Sequence, residues 1–199
     1  MEHGNGEVIA LLAGACFAAG LNVYATLAAL GLLARADVLQ LPQPLHMVES
    51  WTVIGVALVM FVIEFFADKI PAFDLIWNAL QTFIRVPVAA LLAYGGTEQM
   101  GAGTQAVATL SGGALALAAH SGKTAARAAV TPSPEPFSNS ALSFGEDILA
   151  VGLVWFAAEH PYIATAIVAV LLLLIVLALR WVIRAMRRLF RGASRVANA

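Results

Sequence analysis

The sequence predicts an all-α integral membrane protein: a six-helix polytopic bundle, built as two inverted three-helix repeats around a polar, ionic core. Three observations carry that expectation. Of 199 residues, 61% are hydrophobic and only 12% charged, with mean hydropathy +0.86; soluble domains carry roughly 25% charged residues. Apolar runs of membrane-crossing length recur along the whole chain. The polar residues inside those runs keep helical spacing, so they fall on stripes.

A span needs roughly 20 mostly apolar residues. Residues 8–33 make the first, interrupted only by Asn22, Tyr24 and Thr26. Residues 51–67 make the second, with Glu64 near its end, and 76–94 the third, with Arg85 inside it. The fourth, fifth and sixth are 102–120, 141–158 and 161–179, the last the most uniformly apolar. Residues 1–7 form a short leading segment without Lys or Arg, so no positively charged start of a secretory signal is expected. Between the second and third spans, Ala67-Asp68-Lys69-Ile70-Pro71 reads as a tight break. Pro71 cannot continue a helix, and Asp74 suits the positive end of the next one. The prolines of Thr131-Pro132-Ser133-Pro134-Glu135-Pro136 forbid regular helix. Residues 131–137 therefore form either a plain cytoplasmic loop or an irregular segment dipping back toward the core.

Charge asymmetry sets the orientation. With both termini cytoplasmic, the inside carries Lys69, Lys123, Arg127 and six arginines from Arg180 to Arg195, and the outside only Arg35. Nine against one is a strong positive-inside bias. Arg180, Arg184, Arg187, Arg188, Arg191 and Arg195 make a basic stripe continuing the sixth helix, suited to anionic lipid headgroups. The expected setting is the bacterial inner membrane.

The two halves echo each other. Ala19-Gly20-Leu21-Asn22-Val23-Tyr24-Ala25-Thr26-Leu27 matches Ala102-Gly103-Thr104-Gln105-Ala106-Val107-Ala108-Thr109-Leu110 at five positions, with Asn22 opposite Gln105. Phe65-Phe66-Ala67-Asp68-Lys69-Ile70-Pro71 resembles Trp155-Phe156-Ala157-Ala158-Glu159-His160-Pro161, and the offset grows from 83 to 90 residues, which the proline-rich stretch accommodates. Three spans per copy is an odd number, so residues 8–100 and 101–186 would enter the membrane from opposite sides, followed by a basic tail at 187–199.

The candidate site lies on the stripes. Asp74, Asn78, Gln81 and Arg85 share one helix face; so do His120, Lys123 and Arg127; so do Asn139, Ser143, Glu146 and Asp147. Glu64 and Asp68 share another, with Lys69 beside them. A charge at the bilayer centre costs several kcal/mol unless it is paired or hydrated, so these faces are expected to meet. Five acids (Glu64, Asp68, Asp74, Glu146, Asp147) nearly balance four permanent cations (Lys69, Arg85, Lys123, Arg127), with His120 titratable. A purely structural ionic core is the bland account of that balance.

Other chemistry is poorly supported. Cys16 is the one cysteine and excludes a disulfide framework within the chain or a cysteine-based metal site. No metal is expected, because His120 has no second histidine to join it in a site. Ser121-Gly122-Lys123-Thr124 is not a phosphate-binding loop, since Leu117 stands where that fingerprint needs glycine. Ser143 has no histidine placed to activate it.

The same residues resemble an uncharacterised prokaryotic membrane family, domain of unknown function 4126. The resemblance rests on Gly20-Leu21-x-x-Tyr24; Glu64-x-x-Ala67-Asp68-Lys69-Ile70-Pro71-x-x-Asp74; and Ile84-Arg85 with Pro87. The second half supplies His120-x-x-Lys123-x-x-x-Arg127, Ser133-Pro134-Glu135-Pro136-x-Ser138-Asn139 and Ser143-x-x-Glu146-Asp147. It covers roughly residues 10 to 180. The family commonly carries a basic residue near the position of Asn22, which here is a neutral amide. The resemblance implies an architecture and a set of functional residues but no reaction.

The expected function is a transporter or channel-like protein for a small polar or charged solute. Glu64, Asp68, Glu146 and Asp147 would bind a cation or proton, while Arg85, Lys123 and Arg127 neutralise them. Asn22 and Gln105 would be symmetry-related ligands near the midplane. The alternatives are a lipid-handling protein (a flippase or headgroup enzyme) and a structural membrane subunit. Lipids, a small solute and a second copy of the chain are the expected partners; no cofactor or nucleic acid is implied.

Overall fold

A computed structural model describes residues 4–67, 71–130 and 136–197. The order is α1 (Asn5–Leu21), α2 (Val23–Arg35), a 3-10 turn (Gln43–Glu49), α3 (Trp51–Ala67), α4 (Pro71–Gly96), a second 3-10 turn (Glu98–Met100), α5 (Ala102–Val130), α6 (Pro136–Glu159) and α7 (Pro161–Ala197). There is no strand among the described residues. Pro71, Pro136 and Pro161 each open a helix, the position where a missing N–H costs nothing.

α1 is the centre of the bundle. It is apolar on every side, the pattern of a helix surrounded by protein, and every residue from Ala10 to Leu21 except Ala13 is buried. It packs against α4, α5, α6 and α7. Small residues permit the close crossings, as in membrane helix pairs generally. A Cβ added to Gly20 would run into the backbone oxygen of Ala116 and lie 2.7 Å from its Cα. At Gly112 an added Cβ would lie 2.7 Å from the Ala93 Cβ. The α1–α5–α4 contact is therefore backbone against backbone.

α3 and α7 form the periphery. Only Ile54, Ala57, Glu64 and Ala67 of α3 are buried, while Val56, Val59, Val62 and Phe66 point outward. α7 turns Leu173, Leu174, Val176 and Leu177 outward in the same way. Water would not tolerate so continuous an apolar surface; hydrocarbon does. Three helices are long and apolar enough to cross a membrane: Ile76–Gly96, Ser140–Glu159 and Pro161–Trp181. The Gln43–Glu49 turn and α3, bent by 60°, make a fourth if counted as one span. This is the architecture of an all-helical membrane protein.

The first expected span is corrected. Residues 8–33 are not one helix but two, separated at Asn22. α5 contains the fourth expected span but is not among the apolar crossers, because its crossing faces use Ala and Gly rather than large aliphatics. At the opposite end of α2, Arg35 lies 4.4 Å over the Trp51 ring and donates to the Glu49 carbonyl at 3.2 Å. That contact ties the α2 terminus to the start of α3.

Candidate functional site: a buried ionic network at a helix break

The break is centred on one residue. Asn22 has an extended backbone (φ −151°, ψ 104°) and caps α2, its Oδ1 accepting from the Ala25 N–H at 2.9 Å. Asparagine is among the best residues for that position. Its Nδ2 donates to Asp147 Oδ1 at 2.8 Å, bringing a carboxylate to the positive end of α2. The last carbonyls of α1 receive cations instead. Gly20 O accepts from Arg85 Nη1 at 3.1 Å, and Leu21 O from Lys123 Nζ at 3.2 Å. Each exposed helix end thus meets the charge sign that its dipole favours.

Four other helices aim side chains at this point. α4 contributes Asn78, Gln81 and Arg85, all buried on one face. Gln81 Nε2 donates to the Tyr24 hydroxyl at 3.2 Å. Arg85, fully buried, forms an ion pair with the fully buried Glu64 of α3. Arg85 Nη1 also donates to His120 Nδ1 of α5 at 3.0 Å. With Nδ1 accepting, the ring proton is assigned to Nε2, which lies 2.8 Å from Thr82 Oγ1. His120 therefore holds Arg85 in place as a neutral ring.

One and two turns further along α5, Lys123 and Arg127 complete the network. Lys123 Nζ lies 3.6 Å from Glu64 Oε1 and 3.4 Å from Glu146 Oε2. Arg127 Nη2 donates to Glu146 Oε2 at 2.8 Å. Ser143 is buried one turn before Asp147 on α6. Among the described buried groups, three carboxylates (Glu64, Glu146, Asp147) face three cations (Arg85, Lys123, Arg127). Desolvating such groups is repaid only when pairing is close to complete, and buried pairs add little net stability over apolar packing. A network of this size is therefore a costly way to hold helices together.

Beside it, a groove of about 470 Å³ runs between α4 and α5, lined on its polar side by Asn78, Thr82, His120, Ser121 and Thr124. His120 faces the groove and grips Arg85 at once. It is the link between the groove and the charges.

Of the residues singled out in the sequence, Asn22, Glu64, Arg85, His120, Lys123, Arg127, Glu146 and Asp147 meet in this network. Gln105 does not. It sits in the first turn of α5, part-exposed, and donates to the Tyr94 carbonyl at 3.0 Å, so it is no counterpart of the fully buried Asn22. Asp68 and Lys69 lie outside the described residues, as do residues 131–135 of the proline-rich stretch. Asp74 and Asn139 belong to α4 and α6, but their side chains lie outside the description. Sequence reasoning missed Thr82, which supports His120, and the Gly20 and Leu21 carbonyls. Thr82 carried a signal, since it lies four residues after Asn78 and three before Arg85. The carbonyls carried one too: a strong capping residue in the middle of an apolar run.

The chain belongs to the family described as Domain of unknown function (DUF4126), whose model matches residues 9–181. That match takes in every residue of the network, from Asn22 to Asp147. No curated protein and no solved structure matches the chain. Membership in the DUF4126 family supplies no reaction.

Proposed function

We propose that this protein is a six-span transporter of a small polar or charged solute, worked by exchange of partners within the buried network. The observation that carries the reading is the helix break at Asn22, whose two ends face opposite charges. Broken helices with their ends directed at charged groups near the membrane centre are how many secondary transporters bind ions and substrates. In this reading α1 and α2 form one interrupted span, and α3 to α7 supply five more. Residues 8–100 and 101–186 are inverted halves, both termini are cytoplasmic, and the protein resides in the bacterial inner membrane. The arginines that follow Arg180 rest on anionic lipid, and two copies associate through their outward apolar faces. Glu64, Glu146 and Asp147 take up a cation or proton, and the cations re-pair as they do so. Paired charges of near-zero sum suit such exchange, because each arrangement keeps the site neutral.

The test is reconstitution. Purified protein in liposomes, screened electrically against amino acids, organic acids, sugars and inorganic ions, should give a saturable current with at least one class. Glu146→Gln should abolish that current while the protein remains folded. No current with any class, together with lowered yield and melting temperature in Glu64→Gln and Glu146→Gln, would leave the network as a scaffold and overturn transport.

A specific feature favours a second reading. The groove between α4 and α5 opens sideways, its rim carrying the outward-facing Ala79 and Leu117. A lipid headgroup reaching it would meet hydroxyls and His120 backed by Arg85, the arrangement a lipid-handling protein needs. Dithionite quenching of fluorescent lipid in the same liposomes separates the two. Lipid movement without solute current selects this reading.

A further inference from the structure

Lys123 occupies a position that resembles the inside of an ion's coordination shell. Its ammonium is surrounded by Leu21 O at 3.2 Å, Glu146 Oε2 at 3.4 Å and Glu64 Oε1 at 3.6 Å. Those oxygens come from three places in the chain: the broken end of α1, α6 and α3. A fourth is within the same carboxylate, because Glu146 Oε1 is buried and accepts no hydrogen bond. We propose that this is a binding site for a monovalent metal cation of the sodium class, in which the Lys123 ammonium is a tethered occupant that the ion displaces. The inference rests on the transport reading for its purpose, and on geometry alone for the site.

Three physical arguments support it. All four donors are oxygens, three of them from carboxylates and one a backbone carbonyl freed by a helix break, the set that hard cations take. Charge selects a single positive charge. Glu64, Glu146 and Asp147 are balanced by Arg85, Arg127 and Lys123 among the described buried groups, so removing the lysine charge leaves one negative charge to be met. The lysine is also the right tether. A compact ammonium on a flexible stem mimics a bare ion and can withdraw, which a planar guanidinium held by several bonds cannot.

Displacement would change the shape of the site. The ammonium stands 3.2–3.6 Å from its oxygens, whereas a calcium-sized ion sits roughly 2.3–2.6 Å from its ligands. The ion would draw Glu64 and Glu146 inward, and α3, which buries little of its surface, is the helix free to follow. Ion exchange at Lys123 thereby moves a peripheral helix against the core.

The experiment measures melting of the detergent-solubilised protein in sodium, potassium or choline chloride at equal ionic strength. Lys123→Met should gain a melting temperature that rises saturably with sodium, by roughly 2–4 °C at a few times the dissociation constant. The wild type, in which the ion must first displace the ammonium, should respond less, and the double variant Lys123→Met/Glu146→Gln should not respond. Equal melting of Lys123→Met in sodium and choline overturns the site, and so does a sodium response of the same size in the double variant. Should Lys123→Met not yield folded protein, equilibrium binding of radioactive sodium to the wild type in detergent decides instead. Binding that Glu146→Gln abolishes supports the site, and its absence overturns it. A sodium-insensitive variant in a protein that still carries solute current removes this inference alone. Sodium binding in a protein that moves nothing removes transport alone.

Discussion

Two nine-residue stretches, 19–27 and 102–110, share five identities and lie in helices that pack directly against each other. The first crosses a helix break; the second is uninterrupted α-helix. At Gly20 the backbone of Ala116 leaves no room for a Cβ, while at the matching Gly103 nothing lies within 4 Å. Asn22 reaches Asp147 across the bundle, while Gln105 reaches back to Tyr94 at its own end of the helix. Only the matched threonines behave alike, each donating to the carbonyl four residues earlier, at 2.8 Å for Thr26 and 2.7 Å for Thr109. The five shared residues therefore do not encode the break. It exists where distant residues supply charges of the right sign for two new helix ends.

That account is tested most severely by the charges. Arg85→Ala takes from the buried Glu64 its nearest cation and from the Gly20 carbonyl a donor, and removing one member of a buried pair costs about 3–5 kcal/mol. Removing Glu64 together with Arg85 should recover part of the loss, read from denaturant unfolding in micelles. Melting of the Arg85→Ala variant within error of wild type would mean that the break does not depend on its cations.

The glycines give the next largest contrast. Gly20→Ala should cost about 1–3 kcal/mol, the usual range for overpacking. Gly103→Ala should be neutral or gain up to about 1 kcal/mol from helix propensity. Equal effects at the two positions would show that α1 and α5 do not cross as closely as described.

A smaller difference is expected at the amides. Asn22→Ala loses a helix cap worth about 1–2 kcal/mol and also deprives Asp147 of a donor, so it should lower stability and any solute current together. Gln105→Ala, at a part-exposed helix start, should stay within about 0.5 kcal/mol of wild type. The threonines close the series. Thr26→Val and Thr109→Val should each change stability by less than about 1 kcal/mol, since each loses one neutral hydrogen bond of the same kind. A large loss at Thr26 alone would mean that its hydroxyl supports the break beyond this bond.

These contrasts mark what is legible in a single sequence. Charges are conspicuous in apolar runs, and helical spacing places Gln81 with Arg85, and His120 with Lys123 and Arg127, on common faces. Burial then requires those faces to meet. The start of α4 at Pro71 is likewise written in local chemistry. Pairing is different. Nothing local says that Arg85 takes Glu64 while Arg127 takes Glu146, because the choice is made by helix packing. The split at Asn22 is only half legible: its capping amide is local, but its partners are not. Hydropathy runs unbroken through it, and the partner that stabilises it, Asp147, lies 125 residues away. Gln105 misled in the opposite direction, since its likeness to Asn22 is a likeness of neighbours and not of partners.

The spacing of the ion pairs bears on how such a chain enters a bilayer during synthesis. Arg85 and Glu64 are 21 residues apart, on the consecutive helices α3 and α4. Arg127 and Glu146 are 19 apart, on the consecutive helices α5 and α6. A lone arginine or acid at the middle of an inserting helix is penalised by roughly 2.5–3.5 kcal/mol. Two adjacent helices leaving the translocation machinery together carry both members of a pair, and so present the lipid with a neutral hairpin. Each of these two pairs is closed within its own hairpin. Lys123, which touches an acid of each, has nothing to bridge until the two hairpins meet, and its bridging contact is a late event in assembly.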